Sequence, residues 1–228
     1  MLLTGKPFES SVQVFLDHDL QALHSPSMEE ATMPIPSIRT ATGSDEDRVV
    51  ATLVLAFSAD PTLRWVYPDP HQYLTAFPEL IKAFAGRAFE HSTAHYVEGY
   101  AGAALWLPPG VHPDEDALAE LLQRTIAEPD QEDVMTVLEQ MGGYHPSEPH
   151  WYLPVIGVDP IAQRKGYGSA LLRHALALCD RNKELAYLES SNPLNQGLYE
   201  RHGFETLGTI QVGASPPICP MVRKPQTA

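Results

Sequence analysis

The chain has 228 residues, 43 % of them hydrophobic and 19 % charged, with 29 acidic against 15 basic side chains for a formal net charge of −14. That length and apolar content fill the core of one large or two small globular domains, and the acidic balance repels a phosphate backbone, so DNA and RNA are not expected partners. Only Cys179 and Cys219 are present, in no CxxC arrangement, and no apolar run has the length of a membrane span or the pattern of a signal peptide; a soluble protein of a reducing cytoplasm with no membrane partner is expected.

Residues 1–37 join a mildly amphipathic piece, SVQVFLDHDLQAL, to a polar, proline-containing stretch, SPSMEEATMPIPS, that reads as a linker. They are expected to form an N-terminal extension, with the compact domain occupying 38–228. IRTAT reads as a short strand, and Ser44 with Asp45, Glu46 and Asp47 offers an N-cap and an acidic first turn to a helix running to about Phe57. ADPTLRWVYPDP reads as a loop. HQYLTAFPELIKAFAGRAFEH follows as a long helix, with Leu74, Phe77, Ile81, Phe84, Ala85 and Phe89 at helical spacing and Pro78 marking a kink or a break.

AHYVEG and AGAALWL read as two strands of a hairpin near Gly99 and Gly102, and the prolines of LPPGVHPDED stop the second. The region 115–141 reads as two helices separated at Pro129. Next come the strand WYLPVIGV, a turn containing QRKGYG, the helix SALLRHALALCDRN, the strand LAYLES, the helix NQGLYERH closed by Gly203, and the strands TLGTIQV and ICPMVRK. Two positions in this half stand out. Pro154 removes a ladder donor from its strand, which reads as a bulge, a loss of pairing on one side, or an edge strand; backbone groups freed around Val155 to Val158 can receive an extended ligand as an added strand. Gly166 and Gly168 permit positive φ and leave no Cβ in the way, so N–H groups of the turn converge on one anion. The helix starting near Tyr167 aims its dipole at the same point, and Arg164 and Lys165 add positive charge, so the guest this turn suits is a pyrophosphate. The spacing is neither GxxxxGK[ST] nor GxGxxG.

VDPIAQRKGYGSALL resembles the acetyl-coenzyme A motif of the GCN5-related N-acetyltransferase (GNAT) superfamily, [QR]xxGx[GA] between the fourth strand and third helix, and NPLNQGLYERHGFE resembles its second motif. The run from EPHWYLPVIGVDP to the terminal MVRKP, with ALWLPPG before it, is similar to the puromycin N-acetyltransferase branch. The resemblance spans Ile38 to Pro225 and is specific only in the last third. It implies a mixed α/β fold of the acyl-CoA N-acyltransferase type: a twisted, mostly antiparallel sheet of about seven strands, splayed at the fourth, with helices on both faces. It also implies acetyl-CoA as cofactor, held by Ile156, Gly157, Val158, Gln163, Arg164, Lys165, Gly166, Tyr167, Gly168, Ser169 and Asn195.

Transfer from a thioester to an amine needs a neutral amine, a stabilised oxyanion and a proton for the departing thiolate. The resemblance implies Glu189 as the base, directly or through water, Tyr199 as the acid, and the backbone N–H of Ile156 or Gly157 for the oxyanion. Burial beneath a sheet raises a carboxyl's pKa and makes it a better base near neutrality. The structural alternatives are a carboxylate bonded to nearby backbone and a core tyrosine.

For the acceptor, Trp65, Tyr67, Tyr100 and Trp106, with Tyr144 and Trp151, are candidates for an aromatic pocket suited to a cationic or planar amine, and Asp60, Asp69 and Glu98 can attract an ammonium. The segments 60–71 and 108–149, expected to shape that pocket, match no known pattern. His145 and His150, bracketing HPSEPH, read as a solvated loop, and no metal is expected. Cys179 reads as packed and Cys219 lacks a base neighbour, which argues against an acyl-cysteine mechanism. The expected reaction is direct acetyl transfer to a primary amine of a small molecule. A peptide or protein amine, which needs a wide groove, and a non-catalytic acyl-CoA sensor are the alternatives; monomer and homodimer both stay open.

Overall fold

Seven strands form one sheet in the order β1-β2-β3-β4-β5-β7-β6 in the computed structural model, which describes residues 37–226. The extension expected at 1–37 lies, Ser37 aside, outside the described residues. β1 (Ile38–Thr40), β2 (Ala94–Val97), β3 (Gly102–Leu107) and β4 (His150–Val158) run antiparallel in turn. β4 is parallel to β5 (Leu185–Ser190), and β7 (Cys219–Arg223) lies antiparallel between β5 and β6 (Glu205–Thr206). The mixed, mostly antiparallel sheet and its strand number are those expected from the sequence.

Strand alternation divides the core in two. Ala103, Leu105 and Leu107 face α1 (Glu46–Ala56) and α3 (Pro70–Ala85), whereas Ala104 and Trp106 face α7 (Tyr167–Asn182) and α8 (Gln196–Arg201). Helices thus cover both faces.

Several local expectations change. Asp45, not Ser44, is the N-cap residue of α1, and its carboxylate accepts from the Thr42 N–H and hydroxyl and from the Tyr100 hydroxyl. ADPTLRWVYPDP is not all loop: Asp60 accepts the Leu63 N–H at 3.0 Å, Pro61 takes the first position, and α2 (Pro61–Val66) forms. Asp69 and Pro70 start α3 in the same way, with Gln72 N–H donating at 2.8 Å. Pro78 stays inside α3, which ends at Ala85 before the short α4 (Arg87–Glu90), and Leu74 turns to solvent. Pro129 sits in the first turn of α6 (Glu128–Tyr144) and not between it and α5 (Glu115–Thr125). TLGTIQV contributes only Thr206, the second residue of β6, and an isolated bridge from Ile210 to Ile218.

Pro154 has both consequences first considered for it. Leu105 pairs with Val155 but Leu107 with Tyr152, so Leu153 and Pro154 together oppose one residue in a bulge. On the other side, β4 meets β5 only through His150, Trp151 and Tyr152; beyond them the strands separate.

Arg223 fastens the far end of the sheet. Only 3 % exposed, it donates from both terminal nitrogens to Asp180 at 2.7 and 2.8 Å and from Nε to the His202 carbonyl at 2.8 Å, joining β7 to the end of α7 and the turn after α8. Arg223→Ala leaves the partly exposed Asp180 carboxylate with the Gln226 N–H and takes the donor from the His202 carbonyl, and about 1–3 kcal/mol of unfolding free energy is expected to be lost, as measured by urea denaturation. The hydrogen bond from Arg223 holds the Asp180 carboxyl below its ordinary range. Its folded value is therefore lower than its unfolded value, so the pair's stabilisation is complete above about pH 4 and is lost as pH falls further. The variant is expected to have a flatter acid limb.

Candidate active site

At the end of β4, Asp159 caps a single 3-10 turn (Pro160–Ala162) by accepting the Ile161 N–H at 3.0 Å, and Gln163 Nε2 donates to the Val158 carbonyl at 3.4 Å. The exposed chain then turns through positive φ at Arg164 (63°) and Gly166 (82°) into α7. α7 has no side-chain cap, and its first backbone bond is Ala170 N–H to Gly166 O, so the N–H groups of its first turn remain available to an anion. Arg164 and Lys165 are exposed at this point. Gly168 departs from the expected positive φ. It is helical, and an added Cβ would come 3.3 Å from Leu198 Cδ2, so its role is close packing against α8. Ser169 bonds His202 Nε2 at 2.7 Å.

The separated part of β4 presents a free backbone edge. Asp159 donates to the Ala101 carbonyl, so alternation directs Gly157 and Val155 toward β3 and turns the N–H and C=O of Ile156 and Val158 toward the opening. Of the two amides considered for an oxyanion, only Ile156 faces the opening. Gly157 is needed elsewhere, because a Cβ there would sit 2.5 Å from that of Ala56 on α1.

A cleft of about 150 Å³, partly open to solvent, begins at this separation. Its sheet side is lined by Leu153 to Ile156, Glu189, Ser191, Asn195 and Tyr199, and its other walls by apolar residues of α2, α3, α5 and α6, among them Trp65, Phe84, Leu118 and Met141. Tyr199 lies on α8, packed edge-on against Phe204 at 6.1 Å. Burial, and then the negative charge of Asp60, raise its hydroxyl well above the ordinary phenol value, so it keeps its proton at neutral pH.

Glu189 comes from the end of β5 with its side chain 4 % exposed, and Oε1 lies 3.3 Å from Nε2 of His145. His145 Nδ1 is 3.1 Å from His150 Nε2, and His150 Nδ1 is 2.8 Å from the Glu148 carbonyl. The rings of Tyr152 and Tyr187 stand 4.7 and 4.4 Å from that of His145, and burial followed by the charge of Glu189 pushes both hydroxyls up. Burial lowers His150. The histidines are therefore not a solvated loop: the end of α6 and the start of β4 fold them onto β5. A histidine closing one element and another opening the next was the signal available; that β5 would bring a carboxylate to them was not.

The remaining candidates disperse. Trp65 lines the cleft. Tyr67 is fully buried in the core with its hydroxyl 3.0 Å from Thr125 Oγ1, and Trp106 is fully buried beneath α7. Tyr100 stacks on Tyr96 at 4.4 Å under the Arg48 guanidinium. None of these three reaches the cleft, because their positions on tight strands and at helix ends serve packing. Tyr144 packs against the core and Trp151 donates to Glu184 at 2.7 Å. Glu98 pairs with Arg39 at 2.9 Å, and Asp69 caps α3. Asp60 is buried, with one oxygen accepting from Leu63 and the other from Ser191 Oγ at 2.7 Å, while Thr62 donates to the Ser191 carbonyl at 3.2 Å. These bonds clasp α2 to the loop after β5, joining Trp65's helix to the wall that holds Asn195 and Tyr199. Among the described residues no cluster of three or more metal-ligating side chains occurs, and no helix is long and apolar enough to cross a membrane.

The arrangement combines an anion-binding helix start, a free strand edge, a protonated tyrosine and a buried carboxylate. Comparison with known proteins points the same way. The family model described as "Acetyltransferase (GNAT) domain" matches residues 125–206. An uncharacterized N-acetyltransferase of Schizosaccharomyces pombe is 27 % identical over 206 residues, covering 80 % of this chain and 81 % of that protein. A Corynebacterium glutamicum structure described as histone acetyltransferase HPA2 and related acetyltransferase is 28 % identical, with a TM-score of 0.61 over 85 % of this chain and 98 % of its own. The Drosophila melanogaster polyamine N-acetyltransferase that forms N-acetylagmatine shares the fold at 14 % identity and a TM-score of 0.61, covering 82 % of this chain and 99 % of its own.

Proposed function

Since this chain belongs to the GNAT acetyltransferase superfamily and is an N-acetyltransferase, we propose that it moves an acetyl group directly from acetyl-CoA to the primary amine of a small molecule with an apolar or aromatic body. The observation that carries this reading is one cleft lined by Ile156, Glu189 and Tyr199 together and walled by apolar side chains. In this reading the acetyltransferase domain occupies residues 38–228.

The residues present fit acetyl-CoA. The first turn of α7 and the left-handed Gly166 hold its pyrophosphate, Arg164 and Lys165 balance its charge, and the N–H and C=O of Ile156 with the N–H of Val158 pair with its amide-bearing arm. When bound it supplies an activated acetyl thioester. Glu189 removes a proton from the substrate ammonium, which leaves a lone pair able to form the new C–N bond. The Ile156 N–H would stabilise the oxygen that becomes negative, and the Tyr199 hydroxyl would give its proton to the departing thiolate and regain one from the newly acylated nitrogen.

The apolar lining selects the body of the amine. Trp65→Ala is expected to raise KM for a phenethylamine acceptor about tenfold with a smaller change in kcat, the pattern of a uniform binding contact. Thiol release from acetyl-CoA across phenethylamine, tyramine, puromycin, spermidine, an aminoglycoside and a lysine peptide tests the whole reading. Turnover with the first three is expected. Turnover with the peptide alone overturns the small-molecule assignment, and absence of acetyl-CoA binding by calorimetry overturns the cofactor site.

A further inference from the structure

β4 and β5 are parallel, so α7 and α8, which follow them, both begin at the same end of the sheet. α8 is only six residues long, and the residue after it reaches back to α7: His202 Nε2 lies 2.7 Å from Ser169 Oγ, in the first turn of α7. That contact fixes the neighbourhood of two arginines. Arg173 stands one turn beyond Ser169 on the same face of α7, about 6 Å along the axis, and Arg201 immediately precedes His202. Arg201 folds back along α8, since a Cβ added at Gly197 would sit 3.5 Å from its Nη1.

Neither arginine is neutralised. In a chain of net charge −14, Arg39, Lys82, Arg124 and Arg223 each meet a carboxylate, whereas Arg173 and Arg201 are exposed and make no ion pair or side-chain hydrogen bond among the described residues. Glu200, next to Arg201 in sequence, is exposed and unpaired as well. Burial first, and then the positive charges of Arg173, Arg201 and Arg223, hold the His202 imidazole below its ordinary value. Three cations thus act on one partly buried ring, and of the three only Arg223 has a carboxylate, Asp180, to answer it.

We propose that Arg173 and Arg201, beside the Ser169–His202 pair, form a subsite for a phosphate monoester, the one carried on the ribose of coenzyme A; this rests on acetyl-CoA being the donor. The open first turn of α7, Gly166, Arg164 and Lys165 answer the pyrophosphate, and the ribose phosphate is the remaining charged group of the cofactor. A phosphate monoester carries about 1.5–2 negative charges at neutral pH and offers three acceptor oxygens, which suits two guanidinium groups brought from different helices. The subsite selects the cofactor and takes no part in the chemistry: coenzyme A differs from its dephospho form by this phosphate alone, and no bond to it is made or broken.

The test is calorimetric and needs no turnover. Coenzyme A and dephospho-coenzyme A are titrated into the full chain and into its Arg173→Gln, Arg201→Gln and double variants. The parent is expected to bind coenzyme A about tenfold more tightly than the dephospho form, and the double variant to bind both as the parent binds the dephospho form. Each single variant is expected to lose part of the preference, and added salt to erode it in the parent alone. Both side chains are exposed, so the melting temperature is expected to stay unchanged; should the double variant melt early, the single variants decide. Equal affinity of the parent for the two ligands overturns the proposal. So does a preference that survives in the variants, which would move the phosphate to Arg164 and Lys165, and so does a parallel loss of affinity for both ligands, which is a general field and not a subsite. If the parent binds neither ligand, the assignment of acetyl-CoA fails and the subsite with it; if it binds both alike, only the subsite fails.

Discussion

Tyr199→Phe is expected to lower kcat by about 10²–10⁴-fold while KM for acetyl-CoA and the melting temperature stay near those of the parent protein. The variant deletes one oxygen from a ring that borders the cleft and changes no other atom of the side chain. The ring still packs on Phe204 and fills the same volume in the core beneath α8. A loss confined to kcat is thus the mark of a proton donor used after the cofactor is bound. A fall in melting temperature with kcat preserved would instead make Tyr199 a packing residue. Because the hydroxyl is raised above the usual phenol range, no alkaline decline in rate should arise from it near pH 9.

Glu189→Gln is expected to lower kcat by a similar factor at neutral pH, and the deficit should shrink as pH rises toward about 10, where an alkyl ammonium loses its proton unaided. The parallel pairing of β4 with β5 ends at Tyr187, and Glu189 follows two residues later, where the strands have parted and the carboxylate can line the cleft. Gln keeps the shape but cannot accept the proton. The pH–rate profiles of the two proteins decide the matter: convergence at high pH identifies a base, whereas a constant ratio at every pH assigns Glu189 to positioning.

The parts legible in the sequence are those whose local chemistry determines their structure. The glycine at 166, the open start of α7, the proline in β4 and the closure of α8 at Gly203 each declare a backbone geometry by residue type alone. α2 was hidden because Asp-Pro begins a helix and a turn with equal ease; only tertiary packing of Trp65 and the Asp60–Ser191 bond separate them. The aromatic candidates failed for a related reason. Trp65 and Trp106 have the same chemistry, and which of them meets the cleft depends on a strand face and on helices distant in sequence. Likewise, His145 becomes significant only through Glu189, 44 positions later in the chain.

An unpaired strand edge usually invites another chain to pair with it, and the free edge at Ile156 to Val158 carries that hazard. The sheet's outer strands, β1 and β6, are only three and two residues long, which makes them poor templates for a second copy. The inner edge is longer, and cover matters more there: α2, α3, α5 and α6 wall the cleft beside it. The helices that wall the cleft thus also keep this edge from a second copy, so damage to α5 and α6 should appear first as self-association, before the sheet itself melts.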